Sequence, residues 1–428
     1  MTRALVIAAP ASGSGKTMVT LGLLRAFRRR RVAVGSAKVG PDYIDPAFHA
    51  AASGRPCRNL DPWAMRPETL RQALACAAED VELLLVEGVM GLFDGAADGG
   101  GSTADLAALT GLPVALVLDV RGQTVSAAAT AQGFARFRDD VTVAAVILNR
   151  VGSARHAELI RPAFDQFGLP VLGALARADG IAVPSRHLGL VQAGEQVDLE
   201  GFLEHAADLV EGAIDLDRLV ACARPVAPDD APAPALAPLG SRIAVARDIA
   251  FAFAYPHVLD GWRAAGAELD FFSPLADEAP PGDADAVYLP GGYPELHAGR
   301  LAAAEEFRRG MLAAAARGAA IYGECGGYMA LGDGLIDGDG VRHAMLGLLP
   351  VETSFAVPRR LLGYRRIVAA AETPLGPPGR RFRGHEFHFA RETGRGAVTC
   401  LFETEGHGAH GAVLGRVFGS FLHLIDQA

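Results

Sequence analysis

Lysine is almost absent from this chain. Among 40 Lys plus Arg residues, only Lys16 and Lys38 are lysine. Arginine-rich, alanine-rich usage reflects coding bias, so a position that stays lysine under it needs a compact ammonium rather than a planar fork. Lys16 and Lys38 are therefore expected to share a site. Cysteine is scarce too. Cys57, Cys76, Cys222, Cys325 and Cys400 are scattered, odd in number and form no CxxC. That argues against a disulfide framework or a zinc site and fits a reducing compartment. No apolar run reaches membrane-spanning length, and the run in "MTRALVIAAP" is too short for a signal peptide. A soluble, cytoplasmic protein is expected. A strong positive charge is also missing. The net charge of −9 speaks against a nucleic-acid binder, and Arg28 to Arg31 read as a solvated helix C-terminus.

What is present is apolar content, at 50% of 428 residues. That is more chain than one ordinary core uses, so two or three domains are expected. The stretch 223–242, "ARPVAPDDAPAPALAPLGSR", has the composition of an extended linker rather than a packed element. The expected division is residues 1–222, a linker at 223–240, and residues 241–428. In the first part, "ALVIAA", "VAVGSAK", "ELLLVEG", "PVALVLD", "VAAVILN" and "PVLGAL" read as strands separated mostly by helix-length segments. Such continuous apolar runs indicate a parallel sheet covered on both faces. "RIAVARD", "LDFFS", "AVYLPGG" and "AAIYGECGG" repeat the style in the second part, which becomes strand- and turn-rich after about residue 340. Two α/β domains follow.

"ALVIAAPASGSGKT" is strand, glycine-bearing loop and helix start. The N–H groups of Ser12, Gly13, Ser14 and Gly15 can cradle phosphates, Lys16 reaches the β/γ oxygens, and the Thr17 hydroxyl holds Mg²⁺. The pattern departs from GxxxxGK[ST] at its first position, where Pro10 stands. Glu87, closing "ELLLVE", is the expected second metal ligand at a strand's carboxyl end, and Asp94 follows in "GLFDG". "VGSAK" brings Lys38 to the same sheet edge, followed by Asp42, Tyr43 and Asp45. One ammonium and two carboxylates beside a nucleotide phosphate suit phosphoryl transfer onto a bound carboxylate. A partition-type ATPase switch would carry a second lysine in the loop where Ala11 stands, which counts against that alternative.

In the second part, Cys325 lies in "GECGG" between an apolar run and a helix-like segment. Small neighbours permit the sharp turn that exposes a nucleophile, and the helix N-terminus is expected to lower the thiol pKa. A base is needed. Of His385, His388, His407, His410 and His423, the last closes the strand-like run "GRVFGSFLHL" and is chosen. Gly291 and Gly292 in "LPGGYPE", with Gly326, are the expected oxyanion-hole N–H donors. Together these features resemble a class I glutamine amidotransferase domain. That domain usually has Glu two residues after the histidine. Ile425 stands there, which leaves either a Cys–His dyad or a different orienting acid.

A glutaminase joined to an ATP site that activates carboxylates makes amides. The stretches "APASGSGKT", "KVGPDYIDPAFH", "EGVMGLFDG", "GSTADLA", "LPGGYPE", "YGECGGYMAL", "LGYR" and "FRGHEFHFAR" resemble the cobyrinic or hydrogenobyrinic acid a,c-diamide synthase family of corrinoid biosynthesis. The pair "GPDYIDP" and "GVMGLFDG" favours it over the related cobyric acid synthases. The resemblance implies an N-terminal half similar to dethiobiotin synthetase. It implies ATP at Gly15, Lys16 and Thr17, with Mg²⁺ at Thr17, Asp45 and Glu87. It further implies corrinoid contacts from Asp42, Tyr43 and Asp94, and glutamine hydrolysis by Cys325 and His423. "NRVGSARH" and "VPSRHLGL" are placed near the adenine. "GHEFHF" has no assigned chemistry, and His385 and His388 read as structural. The partners implied are the corrinoid, glutamine and ATP, with no nucleic acid or membrane; a homodimer is compatible. The alternatives are another macrocycle amidotransferase, or a regulatory ATPase with an inactive glutaminase fold.

Overall fold

The computed structural model describes residues 1–177, 185–186, 189–190, 192–196, 198–227 and 234–428, with only the backbone at 185–186 and 189–190. "VPSRHLGL" lies largely outside the described residues. The chain forms two compact units, one of Met1–Trp63 with Leu70–Ala231, the other of Ala64–Thr69 with Pro232–Ala428.

The first unit is built on seven mutually parallel strands. They are β1 (Arg3–Ala8), β2 (Val34–Val39), β3 (Cys57–Leu60), β4 (Leu83–Glu87), β5 (Val114–Asp119), β6 (Val143–Val151) and β7 (Val171–Ala176). Their order is β3-β2-β4-β1-β5-β6-β7. Leu5, Val6, Leu84, Leu85, Val117 and Ile147 are fully buried on these strands, the pattern of a parallel sheet covered on both faces. β3 was not expected. Its sequence "CRNL" is short and half polar, and its worth is tertiary: Asn59 Nδ2 donates to Gly40 O at 2.9 Å and Asp42 O at 2.7 Å, tying down the loop after β2.

Helix α1 (Lys16–Arg29) follows β1 and buries Val19, Leu23, Ala26 and Phe27, the i, i+3, i+4 spacing of a core-facing stripe. Arg29 at its end is not simply solvated. It pairs with Asp208 and Glu211 at 2.7 and 3.1 Å, and also with Glu204, on the acidic helix Leu199–Ala213. Helix α2 (Ile44–Ser53) follows β2 and ends on Gly54 in the left-handed region.

The linker reading is corrected at both ends. Arg224 and Pro225 add antiparallel to β1, and Ala235, Leu236 and Leu239 are buried in the second unit. A proline- and alanine-rich segment has no periodicity of its own, but its small apolar side chains and free carbonyls can be covered by a neighbouring element. The Ala237 carbonyl, for example, accepts from Trp262 Nε1 at 3.0 Å.

The second unit combines two main sheets. One runs β9-β8-β10-β11-β15-β14, where β8 is Arg242–Ala246, β9 Glu268–Phe272, β10 Ala286–Leu289, β11 Ala320–Glu324, β14 Ala412–Leu414 and β15 Val417–Ser420. All are parallel except β14. The other is antiparallel and includes β12 (Leu361–Ala369), β13 (Arg381–His388) and β16 (Leu422–Gln427), in that order. The run "GRVFGSFLHL" is therefore not one strand. It breaks at Phe421, leaving β15 in the first sheet and β16 in the second, and His423 sits near the start of β16 rather than at the end of a run.

Candidate functional site

The carboxyl ends of β1, β2 and β4 bring the expected groups of the first unit together. Gly15 takes φ +91° and caps α1. A Cβ there would collide with the Asn149 side chain, so glycine is required by both conformation and space. Lys16 Nζ donates to Met90 O at 2.5 Å, and Met90 itself holds a left-handed φ of +48°. Thr17 Oγ1 donates to Glu87 Oε1 at 2.7 Å. Lys38 Nζ donates to Glu87 Oε1 at 2.9 Å and to Asp45 Oδ2 at 2.6 Å. Lys38 thus pairs with Glu87 directly, while Lys16, bound to the Met90 carbonyl, is close enough to feel the Glu87 and Lys38 charges without an ion pair of its own among the contacts described.

The electrostatics follow from burial. Lys16 is lowered from its ordinary pKa by burial against the pull of Glu87, and Lys38 lowers it further. Lys38 loses solvation as well, but Glu87 and Asp45 more than offset it and raise its pKa. Glu87 stays ionised: burial opposes this, while Lys38 and His49 hold its carboxyl far below the usual range. Asp42 differs. Burial and the neighbouring Asp45 push it up to about 7, and its Oδ1 accepts from the Ile44 amide at 2.8 Å in an Asx turn. Tyr43 caps α2. Asp94 Oδ2 accepts from the Gly91 amide at 3.0 Å, folding the loop "GLFDG" on itself.

Ser12 and Gly13 are exposed and line a cavity of about 560 Å³ together with Asp119, Arg121 and Gln123. Ser14 is held inward, its hydroxyl donating to Ala11 O at 2.8 Å. Two residues of "NRVGSARH" brace the loop directly. Asn149 Nδ2 donates to Ser14 O at 2.8 Å, and Arg150 Nη1 donates to Gly13 O at 2.7 Å and to Asp119 at 2.6 Å. Sequence reasoning placed the motif near a nucleotide. Its bracing role depends on β6 lying two strands from β1, which no local pattern reveals.

Among the described residues no three His, Cys, Asp or Glu side chains converge as a metal cage. The donors at this edge are two carboxylates and a hydroxyl, all hard oxygens. That set suits Mg²⁺, which keeps waters and substrate phosphates as its other ligands.

In the second unit Cys325 directly follows β11 and caps a short helix, Gly326–Leu331, with φ +45° and ψ −101°. Its amide donates to Ser420 O at 2.7 Å, and its Sγ lies 3.8 Å from Phe387 O. His423 pairs across from His385 between β16 and β13. A Cβ at Gly291 would collide with the His423 ring, and one at Gly326 would reach the Gly292 amide nitrogen at 2.9 Å. Gly291 therefore lies against the His423 ring, and Gly326, next to Cys325, lies against the Gly292 backbone.

The expected lowering of the thiol pKa is not what the structure shows. Burial pushes Cys325 up, reinforced by the Glu295, Glu324 and Glu386 carboxylates and opposed by a backbone hydrogen bond from Gly326. A six-residue helix supplies too little positive end to reverse burial among three acids. His423 is lowered to about 3 by burial, with His385 and His388 adding to it. The resting pair is a neutral thiol with a neutral imidazole.

Sequence reasoning missed Glu324. Its Oε2 accepts from Tyr288 at 2.7 Å, and its Oε1 accepts from Tyr322 at 2.8 Å and from the Leu424 amide at 3.1 Å. Oε2 also lies 3.7 Å from His423 Nδ1. "GHEFHF" acquires a structural account as well. Glu386 pairs with Arg365 at 2.6 Å and with His388 Nε2 at 3.0 Å, while the His388 ring stacks on Phe421 at 4.0 Å, beside the strand break.

Comparison with known proteins adds an independent line. Residues 5–191 match the CobQ/CobB/MinD/ParA nucleotide binding domain family, and residues 242–428 match the CobB/CobQ-like glutamine amidotransferase domain family. The whole chain is similar to hydrogenobyrinate a,c-diamide synthases. It is 57% identical to that of a Sinorhizobium species, over 99% of both chains. With that of Rhizobium meliloti it shares 56% over 99% of both chains. The Brucella anthropi protein is also 56% identical, over 99% of this chain and 98% of the relative.

Proposed function

The chain belongs to the hydrogenobyrinate a,c-diamide synthase family, and from that premise we propose that it amidates the a and c side-chain carboxylates of hydrogenobyrinic acid, using glutamine as nitrogen donor and ATP as activating co-substrate. It is a glutamine-dependent amide ligase with a nucleotide-binding N-terminal half and a glutaminase C-terminal half. The observation that carries the substrate is the full-length identity to relatives so named.

In the first unit, ATP lies along Ser12–Thr17, with Lys16 and Lys38 at its terminal phosphates. Thr17, Asp45 and Glu87 would hold Mg²⁺, which when bound neutralises phosphate charge. Asp42, Tyr43 and Asp94 position the corrinoid carboxylate. An oxygen of the c-side-chain carboxylate attacks the γ-phosphorus and ADP leaves, giving an acyl phosphate. Ammonia then attacks the acyl carbon, phosphate leaves, and the cycle repeats at the a-carboxylate.

In the second unit, His423 takes the Cys325 proton as sulfur attacks the glutamine carboxamide carbon. The N–H groups of Gly291, Gly292 and Gly326 receive the oxyanion. The proton returns to the departing ammonia, and water hydrolyses the thioester to glutamate. A neutral imidazole with a lowered pKa is available but weak as a base. The Glu324 carboxylate beside Nδ1 stabilises the imidazolium as it forms, the part usually played by an acid two residues after the histidine. A cytoplasmic setting fits this chemistry. No described helix is long and apolar enough to cross a membrane.

Mass spectrometry of product formed from hydrogenobyrinic acid, with cobyrinic acid as the parallel substrate, tests the reading. A mass change of two amidations on the metal-free ring is expected, and turnover of neither ring would overturn it. Cys325→Ala is expected to lose glutamine-dependent amidation and keep ammonia-dependent amidation. Equal loss with both nitrogen sources would remove Cys325 from the glutaminase role.

A further inference from the structure

Helix α2 carries His49 into the interior of the first unit, where its ring lies between two polar groups. His49 Nε2 is 2.6 Å from Glu87 Oε2, and Nδ1 is 3.5 Å from Cys57 Sγ. His49 and Glu87 are both 0% exposed, so no solvent competes for either contact. The two oxygens of Glu87 are divided between two surroundings. Oε2 meets only the imidazole among the hydrogen bonds described, whereas Oε1 meets Thr17 and Lys38. The terminal torsion of a glutamate is broad, so the carboxyl plane needs a second anchor to keep one oxygen aimed at the sheet edge. A ring donor behind the carboxylate supplies that anchor, much as outer partners orient metal ligands.

We propose that His49, backed by Cys57, is a positioning residue that holds the Glu87 carboxylate so that Oε1 faces the Mg²⁺–nucleotide site. The inference rests on the reading of Glu87 as part of that site. A histidine that only fills space beneath the sheet would require shape but not its donor, and that difference is measurable.

The experiment is calorimetric binding of ADP to the full chain, with Mg²⁺ and again with EDTA, in the absence of turnover. Glu87→Gln and His49→Phe are each expected to weaken Mg²⁺-dependent ADP binding about 10-fold or more. Binding in EDTA should change less than about 3-fold. His49→Gln, which keeps a side-chain N–H donor, should recover most of the loss. If Glu87→Gln weakens binding but His49→Phe does not, or if His49→Gln is as weak as His49→Phe, the positioning role is wrong. If Glu87→Gln itself binds normally, the site reading fails and the inference falls with it. Should His49→Phe lack a cooperative thermal transition, His49→Met, flexible and without a donor, makes the same comparison.

Discussion

Glu324 and His423 meet with 3.7 Å between Oε2 and Nδ1, although one precedes the thiol and the other begins a strand of a different sheet. Two tyrosine hydroxyls and one backbone amide hold the carboxylate in that place. In the mechanism proposed above, this carboxylate takes the place of the acid that a glutaminase domain usually carries where Ile425 stands.

Its consequence is a pH dependence. Burial pushes Glu324 up to about 7, against the lowering effect of its hydrogen bonds from Leu424, Tyr288 and Tyr322. The carboxyl is neutral below that value and ionised above it, so support for the imidazolium should grow as pH rises through about 7. Glutaminase kcat is expected to show this ascending limb. Glu324→Gln should flatten it and lower kcat about 100-fold, with the KM for glutamine little changed. An unaltered pH profile in the variant would remove Glu324 from the mechanism.

Lys38 is enclosed between two carboxylates with its side chain only 5% exposed. Arginine keeps the charge, but its planar fork is too large for that space. Lys38→Arg and Lys16→Arg are both expected to cut ATP-dependent amidation about 100-fold. Phosphate release measured with the corrinoid present checks this. Wild-type turnover in either variant would make the scarcity of lysine accidental.

Glu386 gives a prediction about acid stability. Burial opposes its ionisation, but His388 and Arg365 hold its carboxyl down to about 2 from an ordinary 4.5. A depressed carboxyl contributes stability that is full above about 4.5 and lost as pH falls through about 2. Glu386→Gln should therefore lower the melting temperature at pH 6, by a stability difference on the order of 2 kcal/mol. The gap should close towards pH 2. A gap that is constant with pH would mean that packing, not charge, carries the contribution.

Much of the site was legible because it is written in local patterns. Strand, glycine loop and helix lie within one short stretch for Lys16 and Thr17. Lys38, Glu87 and Cys325 each lie at or directly after a strand's carboxyl end, which apolar runs mark plainly. Less legible were short or polar elements. "CRNL" carries no apolar run to mark β3, and the break at Phe421 that puts His423 in β16 leaves the apolar pattern uninterrupted.

The sequence by itself determined the two α/β units, the phosphate loop, the sharp turn at the thiol and the delivery of Lys38 and Asp45 to one sheet edge. Each depends on spacing within a segment, where chain geometry forces the neighbours. Only the tertiary structure decided that His49 backs Glu87, that Asn149 and Arg150 brace the phosphate loop, and that Glu324 stands beside His423. It alone decided that the thiol pKa rises rather than falls. These outcomes depend on burial and on charges brought together from distant segments, and a pKa or an aimed carboxylate is set by that three-dimensional surrounding, not by the residues on either side.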